Sequence, residues 1–217
     1  MKEKLIKISG RVADFSNQSI ANAEVEIKGG KFKTIYETKS DKNGRYEIMV
    51  RPGNYLAIMA CKDYGTKNLE YWAWNVPAYK NLEINPKIDG LEVYAMNAFI
   101  PQTPIRSVMV YFRPMSLKRV KEQGGIDVVK QMRSIDIAPN LSKEDIDVRI
   151  NEHKADLLVL NRVKESIGNN RTIISYLIQC SLPKEITKAK YLRIDLTIYD
   201  RKTKENGEGC LFLKIGE

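Results

Sequence analysis

Thr38-Lys39-Ser40-Asp41-Lys42-Asn43-Gly44-Arg45-Tyr46-Glu47-Ile48 decides how the first part of this chain folds. Two alternating runs flank a polar centre. Asp41 and Asn43 carry short side chains that bond back to turn backbone, and Gly44 supplies a positive φ at no steric cost. Tyr46 then starts the second run with its ring toward a core. This pattern predicts a β-hairpin, and period-two alternation continues on both sides of it. Residues 5–13, 23–28, 34–40, 45–50, 54–61, 69–76, 81–85 and 91–99 read as strands, separated by Ser16-Asn17-Gln18, Gly29-Gly30, Arg51-Pro52-Gly53 and Asp89-Gly90. Short strands at intervals of roughly 8–12 residues predict a β-sandwich. No helix fits before residue 115.

Pro101-Gln102-Thr103-Pro104 discourages both ladder and helix, so residues 101–106 are expected to be a linker. Beyond it, 108–112, 134–138, 145–150, 155–165, 172–181, 191–200 and 208–215 read as strands. Ser116–Gln123 predicts one short helix capped by Ser116 and stopped by Gly124-Gly125. Asp200 to Gly207 reads as a hairpin loop. The expected fold is all-β, with two sandwich domains at 1–100 and 107–217 and at most one short helix. The second has the pattern, though no motif, of a bacterial immunoglobulin-like sandwich.

The chain has 217 residues and a net charge of +9, with 15 basic against 12 acidic residues in 1–104 and 21 against 15 after it. Neither half holds a charge block. No run of about 18 apolar residues exists to span a bilayer as a helix. MKEKLIKISGRV alternates like a strand and lacks the apolar core of an export signal. Cys61, Cys180 and Cys210 are odd in number and sit in apolar strand-like contexts, so they are expected to be buried free thiols. Together these predict a cytoplasmic protein, or an extracellular one if a leader has been removed.

The first half resembles the carboxypeptidase regulatory-like domain, a transthyretin-like β-sandwich. The likeness rests on Gly10-Arg11-Val12, Ile20-Ala21-Asn22-Ala23-Glu24-Val25-Glu26-Ile27, the Asp41-x-x-Gly44-x-Tyr46 turn and Pro52-Gly53-Asn54-Tyr55. It covers residues 5–65. Ser19 stands where the family usually has Pro, and Tyr64-Gly65 inverts the usual order. Members of the family are mostly non-catalytic, so the resemblance implies a scaffold. Enzymes that share the transthyretin-like fold need several His residues, or two His and two Tyr holding iron, whereas His153 is the only His here. No cofactor and no metal site are expected.

His153 lies in a polar turn with no nucleophile beside it and reads as a surface residue. Glu144, Asp145 and Asp147 read as solvated acids. Lys118, Arg119 and Lys121, with Arg113 nearby, form a small basic cluster, but Leu117 and Val120 between them match any surface helix. No RNP-type, KH, zinc-finger or helix-turn-helix signature accompanies them, so nucleic acid is not the expected partner. The most unusual stretch is Asn68-Leu69-Glu70-Tyr71-Trp72-Ala73-Trp74-Asn75, which holds both Trp residues of the chain. In a strand, Trp72 and Trp74 share one face while Tyr71 and Ala73 share the other. Two readings stay open. The indoles form a platform for sugar rings, with Glu70 and Asn75 as edge hydrogen-bonders, or the strand packs on both faces against a core and a second domain or partner. The expected function is a non-catalytic binding or structural module for a protein or a glycan, self-association included.

Overall fold

The computed structural model describes residues 4–184, 186 and 190–215. It is almost entirely β. In chain order the strands are β1 (Ile6–Arg11), β2 (Glu24–Lys28), β3 (Thr34–Lys39), β4 (Arg45–Val50), β5 (Gly53–Cys61), β6 (Tyr71–Ala78), β7 (Leu82–Glu83), β8 (Leu91–Phe99), β9 (Ser107–Ser116), β10 (Ser134–Ile135), β11 (Ile146–Ile150), β12 (His153–Lys154), β13 (Leu157–Ser166), β14 (Thr172–Ser181), β15 (Tyr191–Asp200) and β16 (Glu205–Lys214). Two helices, α1 (Leu117–Glu122) and α2 (Ile126–Gln131), follow β9.

The founding hairpin folds as its chemistry dictates. Asp41 Oδ1 accepts from the backbone amides of Asn43 and Arg45, both at 2.8 Å. Gly44 has φ +74°. Tyr46 is buried and its hydroxyl donates to the Ile84 carbonyl at 2.7 Å. This locks β4 to the strand segment around β7 on the far side of β1.

Three sheets result. One is three-stranded, in the order β4-β1-β7. A second is eight-stranded, in the order β12-β11-β15-β16-β6-β5-β2-β3. The third holds β8, β9, β14, β13 and β10, with β14 flanked by β9 and β10 on one side and β13 on the other. The long sheet is shared by both halves of the chain. Its join is the parallel pairing of β16 with β6, where Gly209, Cys210 and Leu211 face Trp72, Ala73 and Trp74 in register.

Each face of that sheet builds a core. Ile58, Ala60, Tyr71, Ala73, Cys210 and Phe212 pack with Ile6, Ile8, Tyr46 and Ile48 of the three-stranded sheet. Ala57, Met59, Trp72, Trp74 and Leu211 pack on the other side with Val93, Val110, Phe112, Tyr176 and Ile178 of the five-stranded sheet. Strands buried on both faces need apolar residues at every position, which explains the near-continuous run Tyr71-Trp72-Ala73-Trp74. Of the two readings of this segment, the structure shows the one in which the strand packs on both faces.

Three sequence expectations change. Residues 101–106 are not a linker between two units. They connect β8 to β9, which pair antiparallel within one sheet, so residues 91–99 belong with the second half of the chain. A proline-interrupted loop that turns a hairpin has the same local signature as a linker. There are two short helices rather than one. Ser116 caps α1 as expected, its Oγ accepting from the Arg119 amide at 3.2 Å. Gly124 and Gly125, both at positive φ, then start α2 instead of ending the helical segment. The Asp200 to Gly207 loop is also tighter, because β16 resumes at Glu205.

Close approach at the seam needs glycine. A Cβ on Gly209 would lie 2.9 Å from Met96 Sδ and from Val93 Cβ. Gly209→Ala is expected to lower stability by about 1–3 kcal/mol, the usual range for overpacking. Gly30→Ala, whose Cβ meets nothing within 4 Å, should stay within about 0.5 kcal/mol of wild type, with both variants compared against wild type by urea titration.

Candidate functional site

Trp72 and Trp74 are 5% and 6% exposed. Their rings stack on each other with centroids 5.0 Å apart and planes 18° from parallel. Tyr94 meets both edge-on at 5.5 and 5.4 Å, and Phe32 meets both edge-on at 6.1 Å. The flat faces that a sugar would use are spent on one another, so the carbohydrate platform is corrected to an aromatic core cluster. Tyr71 lies in the opposite core, Glu70 is half-buried and Asn75 is exposed. Asn75 has φ +56°, and it and Leu56 are the one position left out of an otherwise unshifted β5–β6 register. Four of these five residues lie on β6, with Glu70 just before it, and the five do not share one surface.

One residue at this cluster was not singled out from the sequence. Glu92, on β8, is 1% exposed and its Oε1 accepts from the Trp72 indole N–H at 2.9 Å. Its Oε2 makes no hydrogen bond. Burial first, and then the nearby Glu70 carboxylate, push the Glu92 acid well above the usual carboxylate range, against the pull of the Trp72 bond. The signal in the sequence is slight: a single acid inside the apolar run Leu91-Glu92-Val93-Tyr94-Ala95-Met96.

Glu92 also lines a cavity of about 440 Å³ between the helices and the outer face of the five-stranded sheet. Val120 of α1 and Ile126 and Val129 of α2 roof it, while Met115, Ile135 and Ile173 form the sheet side. The roof residues belong to a small apolar cluster separate from the two main cores. Lys130 and Arg171 border the cavity. Arg171 is committed to the lip, donating to the Met132 and Lys130 carbonyls at 3.1 and 2.5 Å.

Most of the polar residues singled out from the sequence serve the fold. Lys118 and Lys121 donate to the carbonyls of Thr203 and Thr66, and Arg119 pairs with Asp200 at 2.5 Å. Glu205 accepts from Ser116 Oγ at 2.5 Å and from the Lys118 amide at 3.0 Å, tying β16 to the start of α1. Arg113 donates to both oxygens of Glu165, at 2.6 and 3.0 Å, and this fork holds the Glu165 acid below the usual range. Asp145 closes a capping box with Ser142 and pairs with Arg201 at 2.6 Å; Asp147 lies 3.3 Å from Arg149, and Glu144 is exposed. His153 is exposed on β12.

All three Cys residues are free and buried. Burial pushes the Cys180 thiol up to about 12, which makes it a poor nucleophile. Among the described residues no group of three or more His, Cys, Asp and Glu is placed to hold a metal, and no helix is long and apolar enough to cross a membrane.

The Trp geometry makes a direct prediction. Intrinsic Trp emission should be blue-shifted, resistant to acrylamide and unchanged by soluble polysaccharides. Red-shifted emission that polysaccharide protects from quenching would contradict the packing described.

No curated protein matches the chain. Its structure is similar to the major pilin subunit BcpA of Bacillus cereus, at 8% identity and a TM-score of 0.32 over 96% of this chain and 69% of that one. It is also similar to a DUF3823 family protein of Parabacteroides merdae, at 12% identity and a TM-score of 0.30 over 98% and 100%. The full-length major pilin SpaD of Corynebacterium diphtheriae gives 9% identity and a TM-score of 0.30 over 96% and 66%. The N-terminal unit, β1 to β7, coincides with the segment that matches the family model of the carboxypeptidase regulatory-like domain, residues 7–85.

Proposed function

We propose that the chain is a non-catalytic interaction module that joins a second copy of itself by extending its five-stranded sheet at β13. The open edge of β13 carries this reading. The strand is ten residues long and pairs with β14 along one side. Among the described residues no strand pairs with its other side. A row of unpaired backbone donors and acceptors is a template for another strand. Proteins commonly blunt such an edge with charge. Here the Arg162 guanidinium is held by both Asp136 oxygens, at 2.7 and 2.8 Å, which neutralises one of the two basic residues of β13, the other being the exposed Lys164.

The side-chain pattern favours a second copy as the occupant. Val159 and Val163 are both exposed and stand two positions either side of Asn161. An antiparallel copy centred on Asn161 would set Val159 of one chain opposite Val163 of the other, a β-branched cross-strand pair worth about 0.2–1 kcal/mol each time. The match of residues 7–85 to a regulatory-like rather than a catalytic domain supports the non-catalytic part of the reading.

Sedimentation velocity over a concentration series tests it. Wild type should pass from monomer to dimer, and the double variant Val159→Lys with Val163→Lys should remain monomeric at an unchanged melting temperature, because both sites are exposed. A wild type that stays monomeric to its solubility limit, or a double variant that dimerises equally, would overturn the proposal.

A further inference from the structure

The strand registers gather several connections at one end of the molecule. β5 begins where β6 ends, with Gly53 paired to Ala78, and β15 begins where β16 ends, with Tyr191 paired to Lys214. β6 and β16 are parallel and reach this end together. β8 runs beside β16, with Leu91 against Gly207 and Val93 against Gly209, so the β8–β9 loop turns here as well. Ile6 pairs with Val50 just before the β4–β5 turn, which brings the start of β1 to the same end.

Exposed apolar side chains concentrate on these connections. Of thirteen exposed large apolar residues among those described, six lie here: Leu5, Tyr79, Phe99, Ile100, Ile105 and Ile215. Ile105, at 61%, is the most exposed of them all. Its loop is stiffened by Pro101 and Pro104 and by the Thr103 hydroxyl, which donates to the Ile105 carbonyl at 2.8 Å.

The same end is basic. Lys4, Lys80, Lys184, Lys190 and Lys214 are exposed, and among the described residues none of them has an ion pair or a side-chain hydrogen bond. At the opposite end Lys118, Arg119 and Lys121 are all engaged by protein acceptors. The stretches of sequence that leave the strands on the apolar side are 1–5, 29–33, 51–52, 79–81, 100–106, 151–152, 155–156, 182–190 and 214–217. Together they hold 11 basic against 5 acidic residues, two-thirds of the net charge of +9 in under a fifth of the chain.

We propose that this end docks on the surface of an anionic lipid bilayer, with Phe99, Ile100 and Ile105 seated at the boundary between headgroups and acyl chains. Exposed apolar groups bury at that boundary, and an anionic leaflet attracts the basic residues around them. Lysine stems lie along apolar surface while their ammonium groups stay among the headgroups. The tyrosine ring of Tyr79, apolar with a polar tip, suits the same depth. The two halves of the pattern select this partner jointly. A nucleic acid would satisfy the lysines and leave the apolar side chains in water, and a neutral apolar protein surface would leave the lysines without counter-charge.

Flotation of the full chain with phosphatidylcholine vesicles, with and without phosphatidylserine, tests it. Wild type should float with the mixed vesicles, less so as salt is raised, and stay behind with phosphatidylcholine alone. Ile100→Ser with Ile105→Ser leaves the charge unchanged and should weaken binding about tenfold or more at an unaltered melting temperature. Lys80→Gln with Lys214→Gln should weaken it by about tenfold. The native Cys residues are buried, so Ile105→Cys can carry a polarity-sensitive dye; its emission should shift blue on the mixed vesicles, whereas the same dye on Lys42→Cys, in the turn at the opposite end, should not respond. Equal flotation with both vesicles, none with either, undiminished binding by the isoleucine variant, an equal blue shift at both dye positions, or tighter binding to a DNA duplex that the isoleucine variant retains would each overturn the proposal.

Discussion

The parallel contact between β6 and β16 holds the molecule in its shape. Gly209, Cys210 and Leu211 lie beside Trp72, Ala73 and Trp74, and that short ladder turns two half-sheets into one of eight strands. Without it, β5 and β6 would end the N-terminal sheet at an open edge lined by two tryptophans. With it, every side chain of the segment 71–74 is buried, two in each core. The glycines of β16 make the approach possible. A Cβ at Gly207 would lie 2.7 Å from Leu91 Cβ, just as one at Gly209 would crowd Val93. Glu205 at the head of the same strand then fixes Ser116 and the start of α1.

A seam between strands more than a hundred residues apart has a kinetic consequence. Its closure entropy is paid before the contact returns anything. The two hairpins that meet there, β5–β6 and β15–β16, are each local and form first on that argument; their docking completes both cores at once. The exposed edge of β13 lies away from this join, where local opening costs least. The strand to which self-association is assigned thus sits on the margin of a framework that the seam makes rigid.

Much of this was legible in the sequence where the signal is local. The Asp41-Lys42-Asn43-Gly44 turn, the Ser116 cap, most of the strands and the placing of Trp72 and Trp74 on one face with Tyr71 and Ala73 on the other all follow from backbone chemistry and period-two alternation. The seam itself was not legible, because parallel pairing between distant strands leaves no mark in either one. The two prolines at 101 and 104 misled for the complementary reason: they report a chain that cannot ladder, and say nothing of whether the next strand returns to the same sheet. The second helix, Ile126-Asp127-Val128-Val129-Lys130-Gln131, is rich in β-branched residues and is held by tertiary packing of Val129 and Ile126 rather than by propensity. Glu92 was passed over because one acid in an apolar strand has no meaning until its neighbours in space are known.

Native-state hydrogen exchange across increasing denaturant tests the shared sheet most directly. If β6 and β16 weld the two halves, amides of Ile8 and Ile48 in one core and of Val110 and Ile178 in the other should converge on a single opening with one free energy and one denaturant slope. Two classes, one for each core, separated by more than about 1 kcal/mol and with different slopes, would show that the halves open independently and that the seam is not the interaction on which the structure depends.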